Sequence, residues 1–333
     1  MSLDPAVAAC RSAVRRPLAH LPEGTRLLVA CSGGADSLAL LAAAVFEGAR
    51  SGRQVVGVTV DHGLQEGSRA RAEQVVAQMA GLGADETVAV RVEVVPSGQG
   101  PEAAAREARY AVLEEVARRM SGVVLLGHTR DDQAETVLLG LTRGSGGRSI
   151  AGMRSSYDVF RRPFLEVSRR QTEAACLAEG ITWWHDPHND DPRFTRSRVR
   201  RTVLPMLESE LGPGVGEALA RTAQQLQEDV VALDAIAARA FERVGGPDGG
   251  LDVAGLATLE TAVRRRVLRL AAVAAGCPPG ELFRVHVLAV DALVTDFRGQ
   301  RWVDLPGHVR ALRSGEQVRF ATTDETSPGA VGG

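Results

Sequence analysis

Leu27-Leu28-Val29-Ala30-Cys31-Ser32-Gly33-Gly34-Ala35-Asp36-Ser37 is the stretch whose reading decides the fold. A short apolar run bounded by a turn reads as a buried strand. The run stops at Ser-Gly-Gly-Ala-Asp-Ser, and an alanine-rich apolar stretch, Leu38 to Phe46, restarts behind it with the length of a helix. Strand, glycine turn and helix in this order aim main-chain N–H groups and the positive end of a helix at one point, which suits a phosphate. Paired glycines let an oxygen approach the main chain without meeting a Cβ. Ser32, Gly33, Gly34, Ala35, Asp36 and Ser37 are therefore the phosphate-binding candidates, with Ser32 and Ser37 adding hydroxyl donors. The competing reading is an ordinary turn in which Asp36 or Ser37 caps a helix.

The loop has no lysine, and neither has the rest of the chain: all 39 basic residues are arginine. A Walker-A loop, whose lysine reaches the β- and γ-phosphates, is excluded. So is a lysine nucleophile or Schiff base. An acidic residue inside a phosphate loop makes sense if Mg²⁺ sits between the two, because Mg²⁺ is commonly held by one or two carboxylates plus substrate phosphates. Asp36 is the metal-ligand candidate.

Outward from this loop, strands and helices alternate. Strands are expected at 26–31, 55–60, 87–95 and 123–127, with helices at 36–50, 68–81, 101–120 and 131–142 between and after them. That alternation implies a doubly wound parallel α/β sheet with helices on both faces. In such sheets the site lies beyond the carboxyl ends of the strands. The rule gathers the glycine loop, Asp61-His62 and His128 to Asp132 on one edge. An amphipathic helix is expected at 5–20, and mostly helical structure from about residue 208, over 215–244, 251–276 and 279–293. A short hairpin around Gly307 follows, and then a disordered tail. The expected organisation is a catalytic domain over 1–210, a smaller, mostly α-helical domain with the terminal hairpin over 211–321, and the tail over 322–333. Gly212-Pro213-Gly214 is the plausible hinge.

Size and composition bound the rest. A length of 333 residues suggests about two domains, and 44% hydrophobic with 24% charged residues is ordinary for a globular protein. The net charge of −2 argues against a surface that coats nucleic acid along its whole extent, but a local basic face is compatible with it. Cys10, Cys31, Cys176 and Cys277 are scattered without a Cys-x-x-Cys pair, which fits a reducing cytoplasm. No apolar stretch approaches the length of a membrane span. Oligomeric state, a homodimer included, stays open.

Gly127-His128-Thr129-Arg130-Asp131-Asp132-Gln133-Ala134-Glu135-Thr136 is the second strong signal. Asp131, Asp132 and Glu135 lie within one helical turn, so one helix end projects several carboxylates towards the strand edge. They could hold Mg²⁺, bind a cationic amine or take a proton from it; acidic caps of a first turn are the bland alternative. Asp61 and His62 follow the second strand in the same way, with a turn cap as their alternative. The segment 193–201 carries five arginines and Phe194. Arginine is suited to bidentate phosphate contact, and phosphate contacts supply much of the affinity for nucleic acid. A surface helix neutralised by Asp186, Asp190 and Asp191 is the alternative. Arg264-Arg265-Arg266 with Arg269 is a second, more ambiguous basic run.

Ser-Gly-Gly-Ala-Asp-Ser after an apolar strand resembles the PP-loop of N-type ATP pyrophosphatases, which cleave ATP between the α- and β-phosphates. Val60-Asp61-His62-Gly63-Leu64, Ala105-Arg106-Glu107-Ala108-Arg109-Tyr110, the His128 to Thr136 segment, Arg143-Gly144-Ser145-Gly146, Arg162-Pro163-Phe164-Leu165 and the Asp186-Pro187-His188-Asn189 segment with its trailing arginines are similar, in order, to the tRNA(Ile)-lysidine synthase family. Arg130 and His188 depart from the family pattern without removing a group of assigned role. The extra C-terminal domain of longer members is not evident.

The resemblance implies ATP and Mg²⁺ as cofactors, with free L-lysine and a tRNA(Ile) bearing a CAU anticodon as partners. ATP would adenylate the C2 oxygen of the wobble cytidine, lysine would attack C2 through its ε-amine, and AMP would leave. On this reading Ser32 to Ser37, Asp61 and His62 bind nucleotide and Asp36 binds metal. Asp132 and Glu135 bind or deprotonate lysine, and His128 lines the site. Arg109, Arg143, Arg148, Arg196, Arg198 and Arg200 contact tRNA. A cytidine 2-thiolation enzyme and a non-catalytic RNA-binding protein are the rivals; unpaired cysteines disfavour the first, and intact Asp36, Asp132 and Glu135 the second.

Overall fold

Helix α1 (Pro5–Leu18) leads into strand β1 (Arg26–Ala30), and Asp4 caps the helix by accepting hydrogen bonds from the N–H groups of Ala6 and Val7. Then follow α2 (Ala35–Ser51), β2 (Val55–Asp61), α3 (Ser68–Gly81), β3 (Glu86–Arg91), α4 (Pro101–Arg119), β4 (Gly122–Leu126) and α5 (Arg130–Arg143). The computed structural model describes residues 3–61, 63, 67–92, 101–144, 146–186, 190–246 and 248–323. His62, most of the 322–333 tail and the end of the strand expected over 87–95 lie outside the described residues.

A short helix α6 (Gly147–Ile150), strands β5 (Ser156–Tyr157) and β6 (Phe160–Arg161), and α7 (Arg169–Ala178) come next. The six strands form one sheet in the order β3-β2-β1-β4-β6-β5, all parallel except β5. β1 is central: Leu28 pairs with Val56 of β2 on one side and Val124 of β4 on the other. The chain therefore winds outward through β2 and β3, then returns past β1 to β4. That reversal opens a crevice beyond the carboxyl ends of β1 and β4.

Alternate residues of β1 feed two different cores. Leu27 and Val29 pack with α1, α2 and α7, whereas Leu28 and Ala30 pack with Leu113 and Ala117 of α4. Both faces of the sheet are covered, as the doubly wound expectation required. Leu27, Leu28, Leu38, Leu40 and Leu41 are fully buried. Each contributes about 1.5–3 kcal/mol relative to exposure, so the strand–loop–helix unit rests on the firmest part of the molecule.

Helix α8 (Thr195–Arg198) continues through a π-helical turn (Val199–Val203) into α9 (Leu204–Leu211) and the long α10 (Val215–Val244). The Gly212-Pro213-Gly214 bend is fastened rather than hinged. Glu208 accepts the N–H of Gly214 at 2.6 Å and that of Gly216 at 2.8 Å, which ties the start of α10 to the end of α9. By packing, the chain divides into Met1–Thr142 with Gly152–Gln224, and Arg143–Ala151 with Gln225–Gly333. The division thus falls inside α10, not at the bend expected near residue 210.

In the second unit β7 (Leu251–Asp252), α11 (Val253–Ala257), α12 (Thr261–Ala274) and α13 (Arg284–Thr295) precede β8 (Val303–Leu305), β9 (Val309–Ser314) and β10 (Gln317–Thr322). One expectation is corrected here and another is extended. The single helix over 251–276 is a strand and two helices, because Asp252 caps α11 by accepting the N–H of Gly255 and the chain breaks before α12. The hairpin around Gly307 is present as β8 and β9, and β10 and β7 extend it to a four-stranded antiparallel sheet in the order β7-β10-β9-β8, whose buried Leu251, Val309, Ala311 and Val318 face the helices. The run Arg264-Arg265-Arg266 is largely internal: Arg264 and Arg265 share the buried Asp291 at 2.7 and 2.8 Å, and Arg266 binds Asp234.

Candidate active site

The loop between β1 and α2 has the form the sequence required. Gly33 adopts φ +84°, and a Cβ there would stand 2.8 Å from Val75 Cγ2. Gly34 is the N-cap of α2 and makes no side-chain cap bond; the Ser37 N–H donates to the Gly34 carbonyl at 3.2 Å, which leaves the Ala35 and Asp36 amides for an external acceptor. Ser37 Oγ donates to the Gly34 carbonyl at 2.9 Å and accepts the Ser32 N–H at 3.2 Å, which closes the bend on itself. The Trp184 N–H donates to the Gly33 carbonyl at 2.9 Å and pins the loop from outside.

A cavity of about 430 Å³ opens beside this loop, lined by Cys31, Ser32, Val58 to Asp61, Arg71, Arg109 and Trp184 among others. Asp61 lines it and accepts the Gly63 N–H at 2.9 Å. Arg71 stacks its guanidinium 3.9 Å from the centroid of the Trp184 ring. Burial depresses the Arg109 pKa, and no carboxylate among the described residues pairs with it. A half-buried cation with no carboxylate partner among the described residues, beside the first amides of α2, suits an anion.

Behind the loop stands a dense ionic cluster. Arg169, at the start of α7, donates from Nε to Asp36 Oδ2 at 3.3 Å and from Nη2 to Asp132 Oδ1 at 3.0 Å; its Nη1 lies 3.8 Å from Glu135 Oε1. Its main-chain N–H donates to Asp131 at 2.8 Å. Thr172 also donates to Asp36. Arg200 donates to Glu135 at 2.6 Å and to Asp132 at 3.1 Å, and Arg196 donates to Glu135 at 3.1 Å. Glu135 is fully buried. Burial acts to raise the Asp132 carboxyl, but Arg169 and the Thr129 N–H outweigh it and hold the group below its ordinary range. For Asp36 burial wins over the same arginine, and its pKa rises to about 6.

His128 follows β4 directly. Its Nδ1 accepts from Arg162 Nε at 3.2 Å, and burial pushes its pKa down to about 3. A second cavity of about 420 Å³ is lined by Arg130, Asp131, Glu135, Arg169, Arg200, Glu208 and Glu217, together with smaller residues.

The structure gathers Ser32 to Ser37, Asp61, Arg109, Asp132 and Glu135 at the strand ends, as the topology rule required. It places the basic segment differently from expectation. Arg196 and Arg200, four residues apart and therefore on one helical face, turn into the carboxylate cluster. Arg198, on the other side, donates to the carbonyls of Pro192 and Arg193. Arg148 pairs with Asp234 in the second unit, and Arg143 also belongs to that unit. Arg109 lines the loop-side cavity. Arg162, Arg169 and Thr172 have no site role in the sequence reading; the only signal for Arg169 is the Arg169-Arg170 pair behind Arg162-Pro163-Phe164-Leu165. Among the described residues no group of three or more His, Cys, Asp or Glu is arranged to hold a metal ion, and no helix is long and apolar enough to cross a membrane.

Residues 9–207 match the family model of the PP-loop domain, and residues 251–319 match that of the TilS substrate binding domain. The chain is 56% identical over 315 residues to the tRNA(Ile)-lysidine synthase of Thermobifida fusca (strain YX), covering 94% of this chain and 97% of that protein. It is 50% identical over 348 residues to the Streptomyces coelicolor protein of the same name, covering 96% and 99%. It is 55% identical over 319 residues to that of Salinispora arenicola, covering 94% and 95%. Among solved structures, the U34-tRNA thiolase NcsA from Methanococcus maripaludis aligns with a TM-score of 0.55 at 16% identity over 67% of this chain and 80% of that one, a likeness of fold alone. On identity of this level along nearly its whole length, the chain belongs to the tRNA(Ile)-lysidine synthase family.

Proposed function

We propose that this protein ligates free L-lysine to C2 of the wobble cytidine of a CAU-anticodon tRNA(Ile), consuming ATP and releasing AMP and pyrophosphate. The observation that carries the reading is the sharing of Arg169 between Asp36, at the phosphate loop, and Asp132 and Glu135, in the acid cluster. Nucleotide activation and amine handling then belong to one site. ATP fits the loop-side cavity, with its phosphates on the Ser32–Ser37 bend and Arg109 answering their charge. Asp36 fits a Mg²⁺ ligand: burial leaves its carboxylate under-compensated despite Arg169, and a nucleotide phosphate would complete the oxygen set.

Free lysine carries one carboxylate and two ammonium groups. Asp131, Glu135, Glu208 and Glu217 in the second cavity face Arg130, Arg169 and Arg200, so the lining has one more negative charge than positive. It matches both the mixed charges of the amino acid and its single net positive charge. The C2 oxygen of cytidine attacks the α-phosphorus and pyrophosphate leaves. The ε-amine then attacks C2, and the C–O bond breaks with its electron pair kept by AMP. The reaction is placed in the cytoplasm, with tRNA held by residues 211–321 and by exposed arginines such as Arg198.

Buried thiols weaken the thiolation rival. All four cysteines are buried and unpaired, and burial pushes all four thiols up, Cys10, Cys31 and Cys176 to about 12, which disfavours the thiolate that sulfur transfer needs. Incubation with tRNA, ATP and labelled lysine tests the proposal. Label in tRNA with matching AMP supports it; AMP without lysine transfer refutes it.

A further inference from the structure

Arg162 is 7% exposed and is held on every side. Its Nη1 donates to the Arg154 carbonyl at 2.7 Å, its Nη2 to Tyr110 Oη at 3.4 Å, and its guanidinium lies 4.9 Å from the centroid of the Tyr157 ring. Its Nε–H points at His128 Nδ1 at 3.2 Å. A guanidinium stays protonated in proteins and has no lone pair. The imidazole nitrogen that faces it must therefore be the acceptor, and in the neutral ring the proton then sits on Nε2.

We propose that Arg162 is a positioning residue that fixes His128 in the Nε2–H tautomer, making the imidazole at the carboxyl end of β4 a neutral hydrogen-bond donor and not a proton acceptor. Protonating His128 would set an N–H against an N–H and two cations side by side. The charged groups facing the ring agree on balance: Asp132 of α5 favours the imidazolium, whereas Arg162 after β6 and Arg106 and Arg109 of α4 oppose it, as does burial. The partner suited to such a donor is an anionic phosphoryl oxygen. In the proposed reaction the negative charge that grows on AMP as the C2–O bond breaks is the charge such a donor would answer, and the ring would retain its proton. The lysine proton must then go elsewhere.

The rate arm of the test rests on the proposed function, but the spectroscopic arm does not. Long-range ¹H–¹⁵N spectra of histidine-labelled full-length protein, with His128→Gln used for assignment, read the tautomer directly. The expected result is an unprotonated Nδ1 and a protonated Nε2, unchanged between about pH 5.5 and 8. In Arg162→Gln the ring should titrate towards the ordinary value near about 6.5 and populate both tautomers. His128→Ala should lower turnover by about 100-fold, the order seen when one transition-state donor is removed, and His128→Gln should recover part of it through its amide N–H. An Nδ1–H tautomer, or a wild-type ring that titrates in the neutral range, overturns the proposal even if the Arg162 variant fails to fold.

Discussion

Arg200 Nε lies 2.6 Å from Glu135 Oε1, and Glu135 has no exposed surface. A buried carboxylate of this kind is stable only while its counter-ions remain. Removing one partner of an isolated buried pair costs about 3–5 kcal/mol. Arg196 and Arg169 stay in place here, so Arg200→Ala is expected to cost less, about 1–3 kcal/mol, whereas Glu135→Gln leaves three arginines facing a neutral amide and should cost at least as much, besides suppressing lysine transfer. Urea midpoints and lysine incorporation measured on both variants check this. Lysine transfer retained in a folded Glu135→Gln protein would show that the acid is structural only.

Asp36 carries a pH signature with a definite sign. Its folded pKa of about 6 lies above the ordinary value of 3.8, so the native state binds more protons between these values. Stability from this group therefore falls as pH rises from about 4 to 6, and a constant penalty remains above. Asp36→Asn should be more stable than wild type at pH 8, by about 1–3 kcal/mol, and the advantage should vanish below about pH 4. The same variant should lose AMP production. A variant that is no more stable at pH 8 than at pH 4, relative to wild type, would contradict the assignment.

Thiol accessibility separates lysine ligation from sulfur transfer. With all four cysteines buried, the native protein should resist a thiol reagent at neutral pH and react fully only after unfolding. Cys31→Ala should keep lysine transfer. Rapid labelling of native Cys31, with loss of activity, would revive the thiolation reading.

Much of this was legible in the chain. Ser32 to Ser37 announced itself because a strand, two glycines and a helix are consecutive, and local order alone sets where their amides point. The parallel sheet and the edge that gathers Asp61 and Asp132 followed from alternation. What stayed hidden was pairing at a distance. Arg169 meets Asp36 across 133 positions, and no local pattern names that partner. Arg196 and Arg200 read as polyanion contacts because a basic run shows charge, not which face turns inward. The hairpin at Gly307 was legible, but the strand that completes the small sheet was not, because β7 spans two residues, too few to show an alternation.

Gly33 and Gly34 separate folding from binding. Gly33→Ala meets both a positive φ and Val75, so it should destabilise the protein. At Gly34, φ is −81° and an added Cβ would find only Ser32 Oγ at 3.6 Å, so Gly34→Ala should leave the fold intact. It would, however, put a methyl group where a phosphate must approach the amides. Calorimetric titration of ATP into Gly34→Ala, with its urea midpoint measured alongside, tests the central claim most directly. The account predicts an unchanged midpoint with ATP affinity lowered by at least about tenfold, about 1.4 kcal/mol. Wild-type affinity in a correctly folded Gly34→Ala protein would contradict it.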